Sequence, residues 1–250
     1  MPIEIKSVGI LGGGVMGAGI GQALALGGVK VAIRDLNDEL LEKARSTIVD
    51  GRYGLARGVE RGKTSQEQMD VAIANLSFTT KLDDLKDVDL IIEAVPEDLD
   101  LKKKVWAEMD ALVQPQAVFA TNTSGLVINE LSQAVKEGRR PRFIGMHWFS
   151  PASIMKLVEL VYAPDTAEET IQALESLCER SGKVSVRVKD APGKYGFIAN
   201  RIFYAAIQEA QAVLEEGVAS EEDINKAMMY GYNWPIGPLA MRAQARKGWQ

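Results

Sequence analysis

The chain has 250 residues, enough for one large domain or two modest ones. It is 46% hydrophobic and 25% charged, with a formal net charge of −5 and no basic tract interleaved with aromatics, so nucleic acid is not an expected partner. No apolar run reaches the roughly 20 residues of a membrane span, the start MPIEIKSVGIL does not read as a signal peptide, and a lone cysteine, Cys178, leaves no intrachain disulfide; a reducing compartment, most simply the cytoplasm, fits.

Short apolar runs alternate with helical periodicity, which predicts an α/β fold on a doubly wound, mainly parallel sheet. The first expected strand, Ser7–Leu11, runs into Gly12-Gly13-Gly14-Val15-Met16-Gly17 and a helix over Met16–Leu26. This is strand, then G-x-G-x-x-G, then helix, the phosphate-binding turn of a Rossmann-type domain. Gly12 permits the tight turn, Gly14 lets backbone approach a pyrophosphate, and Gly17 allows close packing of the helix. The helix N-terminus adds unpaired N–H groups and partial positive charge. A glycine triplet alone is a weak signal, and a tight turn without a nucleotide is its bland reading. Here Asp35 ends the next strand, Lys30–Arg34, and a carboxylate there accepts from both ribose hydroxyls and repels a 2′-phosphate, selecting NAD over NADP. Arg34 softens that exclusion.

Between that strand and Leu76 lies a long charged insertion, Asn37–Asn75. It reads as helices over Asn37–Arg57 and Gln66–Asn75 joined by Arg57–Lys63, longer than a crossover needs. Such a hairpin either clamps a ligand or packs on the surface. Further strands are expected at Leu90–Ala94, Ala117–Ala120, Phe143–Met146, Leu157–Val161 and Val184–Val188. Helices are expected at Leu101–Leu112, Ile128–Lys136 and Ala167–Ser181, the last capped by Gly182. The basic run Lys136–Arg142 reads as a solvated loop, and Cys178 as a small buried hydrophobe. A Pro/Gly linker over Asp190–Gly196 then separates a domain at 1–189 from a smaller all-α domain at 190–250. That domain has helices over Ile198–Glu216 and Glu221–Tyr230, the second begun by Ser220.

Ligands of doubly wound sheets sit beyond the carboxyl ends of the strands, so Asn122, Ser124 and His147 converge on one crevice, with Glu159 approaching from its own strand. His147 is the only histidine. Among Phe143, Ile144, Met146, Trp148 and Phe149 it is ordinarily a hydrogen-bonded core residue. Glu159, flanked by Leu157, Val158, Leu160 and Val161, is ordinarily the outward residue of a strand. The sharper reading is an imidazole that takes and returns a proton, since a base with an intrinsic pKa of about 6.5 suits the oxidation of a secondary alcohol. A carboxylate on its other nitrogen would fix the tautomer. Trp148 and Phe149 read as packing groups.

The segments GILGGGVMGAGI (9–20), IIEAVPEDLDLK (91–102), ATNTSGL (120–126), IGMHWFSP (144–151), KLVELV (156–161), GFIANRI (196–202) and GYNWPIGPL (231–239) span nearly the whole chain. In this order they resemble the L-3-hydroxyacyl-CoA dehydrogenase family, which includes 3-hydroxybutyryl-CoA dehydrogenases and the dehydrogenase part of multifunctional fatty-acid oxidation proteins. The resemblance implies NAD-dependent, reversible oxidation of a 3-hydroxyacyl-CoA to a 3-ketoacyl-CoA, with His147 the catalytic base, Glu159 its paired acid, and Ser124 and Asn200 around the substrate's oxygens. Asn200 is alternatively a helix cap. The cofactor contacts are then Gly12, Gly14, Val15, Met16, Gly17, Asp35, Ala94, Glu97, Lys102, Asn122 and Ser124. The hairpin matches a segment that contacts coenzyme A, with Lys63 the candidate. No metal is expected, and a homodimer through the helical domain is implied. Two features depart from the family pattern. Ser150 stands where members usually carry Asn, and after GYNWPIGPL the chain reads AMRAQARKGWQ and stops. Rival readings are a dehydrogenase of a free hydroxy acid or carnitine, and a non-catalytic NAD-binding module.

Overall fold

The structure is a computed structural model that describes residues 3–191, 193 and 195–246. Pro192 and Lys194 of the expected linker, and Lys247–Gln250 of the terminal segment, lie outside the described residues. The chain divides into two compact units, Met1–Gly193 and Lys194–Gln250.

The first unit opens with β1 (Ser7–Leu11), α1 (Val15–Leu26) and β2 (Lys30–Arg34). The insertion follows as α2 (Asp38–Val49), α3 (Leu55–Glu60) and α4 (Gln66–Ala74), then β3 (Leu76–Thr79), β4 (Leu90–Glu93), α5 (Leu99–Leu112), β5 (Val118–Thr121) and α6 (Ile128–Ser132). β6 (Phe143–Trp148), β7 (Leu157–Tyr162), α7 (Glu168–Arg180) and β8 (Val184–Lys189) complete it. The sheet has eight strands in the order β3-β2-β1-β4-β5-β6-β7-β8. Every neighbouring pair is parallel except β6 and β7. The strand order reverses between β1 and β4, and such a switch point opens a crevice at the carboxyl ends of the strands.

The sequence makes this sheet because β4, β5 and β6 are apolar runs buried on both faces, as central parallel strands under two helix layers must be. Trp106 of α5 stacks on Phe119 with ring centroids 4.9 Å apart and meets Phe143 edge-on at 5.0 Å, filling the gap between α5 and the sheet. α7 ends as the glycine implies: Gly182 is left-handed, with φ +67°.

Three expectations change. The first hairpin helix does not run from Asn37 to Arg57. It stops at Val49, and Gly51 and Gly54 turn the chain through a Gly54 N–H to Gly51 O bond before α3 begins. The insertion is also rooted in the core, since Leu41, Ala44, Ile48 and Leu55 are buried and Gln22 of α1 donates to Tyr53 O. β3, not foreseen, is a four-residue, largely half-buried edge strand that lengthens the sheet beyond β2.

The basic run is the third. Residues 137–142 form a 3-10 turn and Arg139 is buried. Its guanidinium pairs with Asp110 at 2.9 Å, donates to the carbonyls of Val113, Gln114 and Ala117, and lies 4.4 Å from the Phe119 ring centre. A buried guanidinium needs this many acceptors, and they come from residues 22–29 positions earlier, where no local pattern reveals them.

The second unit contains α8 (Ala199–Glu215), α9 (Glu221–Gly231) and α10 (Pro238–Arg246). Ala210, Ile224 and Leu239 form its small core. Ser220 caps α9 by accepting from Asp223 N, and Asn225 Oδ1 accepts from Leu239 N and Ala240 N at the start of α10.

Candidate active site

The glycine turn after β1 is shaped for a pyrophosphate. Gly12 has φ +97°, which only glycine adopts without strain, and a Cβ there would come 2.8 Å from Ala94 O across the switch point. A Cβ on Gly17 would sit 1.8 Å from Gly12 O and 3.2 Å from Ile10 of β1, so Gly17 is required by the turn and also lets α1 pack closely on the strand. A Cβ on Gly14 would meet nothing within 4 Å. Gly14 therefore faces open space at the N-terminus of the 12-residue α1, beside the amides of Val15, Met16 and Gly17. These residues fit a dinucleotide: an anion placed there meets unpaired N–H groups and the helix dipole.

Asp35 follows β2 and its carboxylate spans the turn. Oδ2 accepts from Gly13 N at 2.6 Å and Oδ1 from Leu36 N at 2.7 Å. Asp35 thus holds the glycine turn through its own carboxylate. Arg34 is drawn away toward Thr80 O.

Beyond β4 and β5 lies a charged cluster that the sequence only half discloses. Lys102, buried on α5, places Nζ 2.6 Å from Glu93 Oε1, 3.3 Å from Glu97 Oε2 and 3.2 Å from Val95 O. Glu93 also accepts from Thr121 Oγ1 at 2.6 Å and Val95 N at 2.9 Å. Burial pushes the Glu93 carboxyl up, while Lys102, Thr121 and Val95 pull it down. Glu97 Oε1 accepts from Thr123 Oγ1 at 2.6 Å and Ser124 N at 2.8 Å, and Thr123 Oγ1 accepts in turn from Leu126 N at 3.0 Å. The ion-pair network therefore ends by shaping the turn that carries Ser124. Glu93, Thr121 and Thr123 were not foreseen; an acid closing the buried run Leu90-Ile91-Ile92-Glu93 was the available signal.

β6 and β7 bring His147 and Glu159 together. Their antiparallel register sets His147 opposite Glu159, and His147 Nδ1 lies 2.7 Å from Glu159 Oε2. Glu159 is fully buried and His147 is 4% exposed. An ionised carboxylate only accepts, so an ionised Glu159 requires the Nδ1–H tautomer of His147. The Phe149 ring tilts over the imidazole with centroids 4.5 Å apart. Asn122 Oδ1 accepts from Trp148 N at 2.9 Å, tying the end of β5 to the residue after His147.

Among the sequence-predicted residues, the first unit gathers Asn122, Ser124, Glu97, Lys102, His147 and Glu159 at the adjoining strands β4 to β7. Ala94, on the far side of the turn, closes against Gly12. Lys63 is exposed in the turn after α3, where its N–H donates to Gly58 O. Asn200 belongs to the second unit and sits half-buried in the first turn of α8. It is not the cap, because that position is Ile198.

The sequence profile of the 3-hydroxyacyl-CoA dehydrogenase NAD-binding domain matches residues 7–191, and that of the same family's C-terminal domain matches residues 196–245. The chain belongs to this family. A probable 3-hydroxybutyryl-CoA dehydrogenase of Bacillus subtilis is 36% identical over 239 residues, covering 96% of this chain and 80% of the relative. The mitochondrial hydroxyacyl-coenzyme A dehydrogenase of Rattus norvegicus is also 36% identical, over 96% of this chain and 76% of its own. The crystal structure of (S)-3-hydroxybutyryl-CoA dehydrogenase from Ralstonia eutropha superposes with a TM-score of 0.89 at 39% identity, over 95% of this chain and 81% of that one. As a member of this dehydrogenase family, the chain is an NAD-dependent oxidoreductase, and the glycine turn is where NAD fits.

Proposed function

We propose that the protein oxidises L-3-hydroxyacyl-CoA thioesters to 3-ketoacyl-CoA, reversibly, with His147 as the general base. The observation that carries this is the buried His147–Glu159 pair at the carboxyl end of β6. With Nδ1 held by Glu159, Nε2 takes the proton of the substrate hydroxyl, and Glu159 stabilises the imidazolium that results. Acid–base help of this kind contributes roughly 10²–10⁴ in rate. NAD, when bound, supplies the hydride acceptor. Ser124, on the turn shaped by Glu97 and Thr123, donates to the substrate's oxygens. Glu97 and Lys102 border the nicotinamide end, and Asp35 receives the adenosine ribose. Lys63 and the hairpin take the coenzyme A portion. The names of the relatives support CoA thioesters as the substrate class. The working unit is a homodimer through the helical unit, and a cytoplasmic location fits a chain whose only thiol is buried and in which, among the described residues, no helix is long and apolar enough to cross a membrane.

The test is His147→Gln assayed with acetoacetyl-CoA and NADH, beside longer 3-ketoacyl-CoA substrates and the free acids. Turnover is expected to fall at least about 10²-fold while NADH binding stays near normal. Full turnover in that variant removes His147 from the mechanism. Turnover of free acids alone overturns the thioester assignment.

A further inference from the structure

Lys183 is a buried cation that the chemistry above leaves unused. It lies between α7 and β8 and is 8% exposed. Its ammonium donates to Ala152 O at 2.7 Å and to Met155 O at 2.9 Å, and stands 5.5 Å from the centre of the Trp148 ring. Among the described residues no carboxylate pairs with it.

Both carbonyls belong to the segment that leaves β6 immediately after His147 and Trp148 and returns as β7. This segment has a second anchor. Ala152 and Ser153 pass so close to α1 that a Cβ on Gly19 would lie 3.2 Å from Ala152 Cβ and 3.5 Å from the backbone nitrogens of Ala152 and Ser153. Residues 149–155 therefore bridge the strand carrying His147 and the helix whose N-terminus receives the dinucleotide, and Lys183 grips that bridge through Ala152 O and Met155 O.

We propose that Lys183 is a positioning residue: by holding Ala152 O, Met155 O and the Trp148 ring, it sets the bridge between His147 and α1 and thereby how tightly the dinucleotide is bound. This rests on NAD occupying the Gly12–Gly17 turn and is independent of whether His147 is the base. Two charge-assisted bonds to neutral carbonyls do not offset full desolvation of an ammonium. Burial accordingly pulls Lys183 down to about 8. The titratable group facing it, Cys178 on α7, is pushed up to about 12 by burial, with Glu175 on the same helix also raising it. Cys178 thus stays a neutral thiol across the range in which Lys183 loses its charge, and the grip on the bridge weakens above about pH 8.

Lys183→Met keeps much of the apolar stem and removes the donor. Amide hydrogen exchange within 149–156 should accelerate about tenfold, and the Kd for NADH, read by nucleotide fluorescence, should rise by a similar factor. In the unmodified protein the same Kd should climb about threefold between pH 7 and pH 9, and this climb should vanish in Lys183→Met. Unchanged exchange and Kd in the variant overturn the proposal. If the variant does not fold, the pH series of the unmodified protein decides: a flat Kd from pH 7 to 9 overturns it, and the climb upholds it. His147→Gln, which leaves the bridge intact, retains tight NADH in either case, so the two proposals fail separately.

Discussion

Lys102 and Lys183 are both buried on the same unit, yet the protein treats them oppositely. Lys102 meets two carboxylates, Glu93 and Glu97, at 2.6 and 3.3 Å. Lys183 meets two carbonyls and an aromatic face, and its burial holds it at about 8 rather than the ordinary 10.5. The difference teaches that burial alone does not decide what a buried lysine does. Two carboxylates hold Lys102 as a strut, whereas Lys183 has only neutral acceptors and burial pulls it down to about 8. The strut orders the Ser124 turn; the titratable lysine governs the bridge from His147 to α1.

The sharpest way to break this contrast is Lys102→Met, which strands the buried Glu93 carboxylate and removes the ammonium beside the exposed Glu97. It should cost about 3–5 kcal/mol in chemical denaturation. Adding Glu93→Gln should recover part of that loss, because a neutral amide no longer needs the ammonium. A double variant as unstable as the sum of its parts would show that the pair is not coupled.

The second effect concerns pH. Lys183 is depressed in the folded protein, so between about 8 and 10.5 the unfolded chain holds more protons on it and stability from this group rises with pH. Below about 8 the desolvation cost is present in full. The difference in unfolding free energy between unmodified protein and Lys183→Met should therefore shift by at most about 3 kcal/mol across that window. A constant difference would show that the ammonium is not desolvated. The smallest effect sharpens the Lys102 side. Thr123→Val removes the hydroxyl linking Glu97 to the Ser124 turn and should cost about 1–2 kcal/mol, with a raised KM for the acyl-CoA. An unchanged KM would detach the network from substrate handling.

The central strands were legible because parallel strands buried on both faces must be continuous apolar runs, and Ser7–Leu11 and Lys30–Arg34 match to the residue. β3 was not, since Leu76-Ser77-Phe78-Thr79 alternates apolar and polar residues over only four positions, too few to stand out behind the long helical insertion. The break between α2 and α3 hid inside a charged helical pattern. His147 drew notice as the lone imidazole among apolar neighbours, but its pairing with Glu159 came from the family resemblance; on local pattern alone Glu159 reads as the outward residue of a strand. Arg139 and Lys183 were invisible for a different reason. Their acceptors are largely main-chain carbonyls, which every residue possesses, so no side-chain pattern could announce them.

Among the described residues the only antiparallel neighbours in the sheet are β6 and β7, and they carry His147 and Glu159 as directly facing residues. Their encounter is thus written into strand alignment rather than into either side chain's reach. Adding or deleting one residue between Leu157 and Glu159 would rotate the acid to the other face of the sheet and orphan the imidazole. A length change confined to 152–155 would leave the dyad facing but reshape the span over α1. Chain length, not only residue identity, is therefore under constraint on either side of this hairpin.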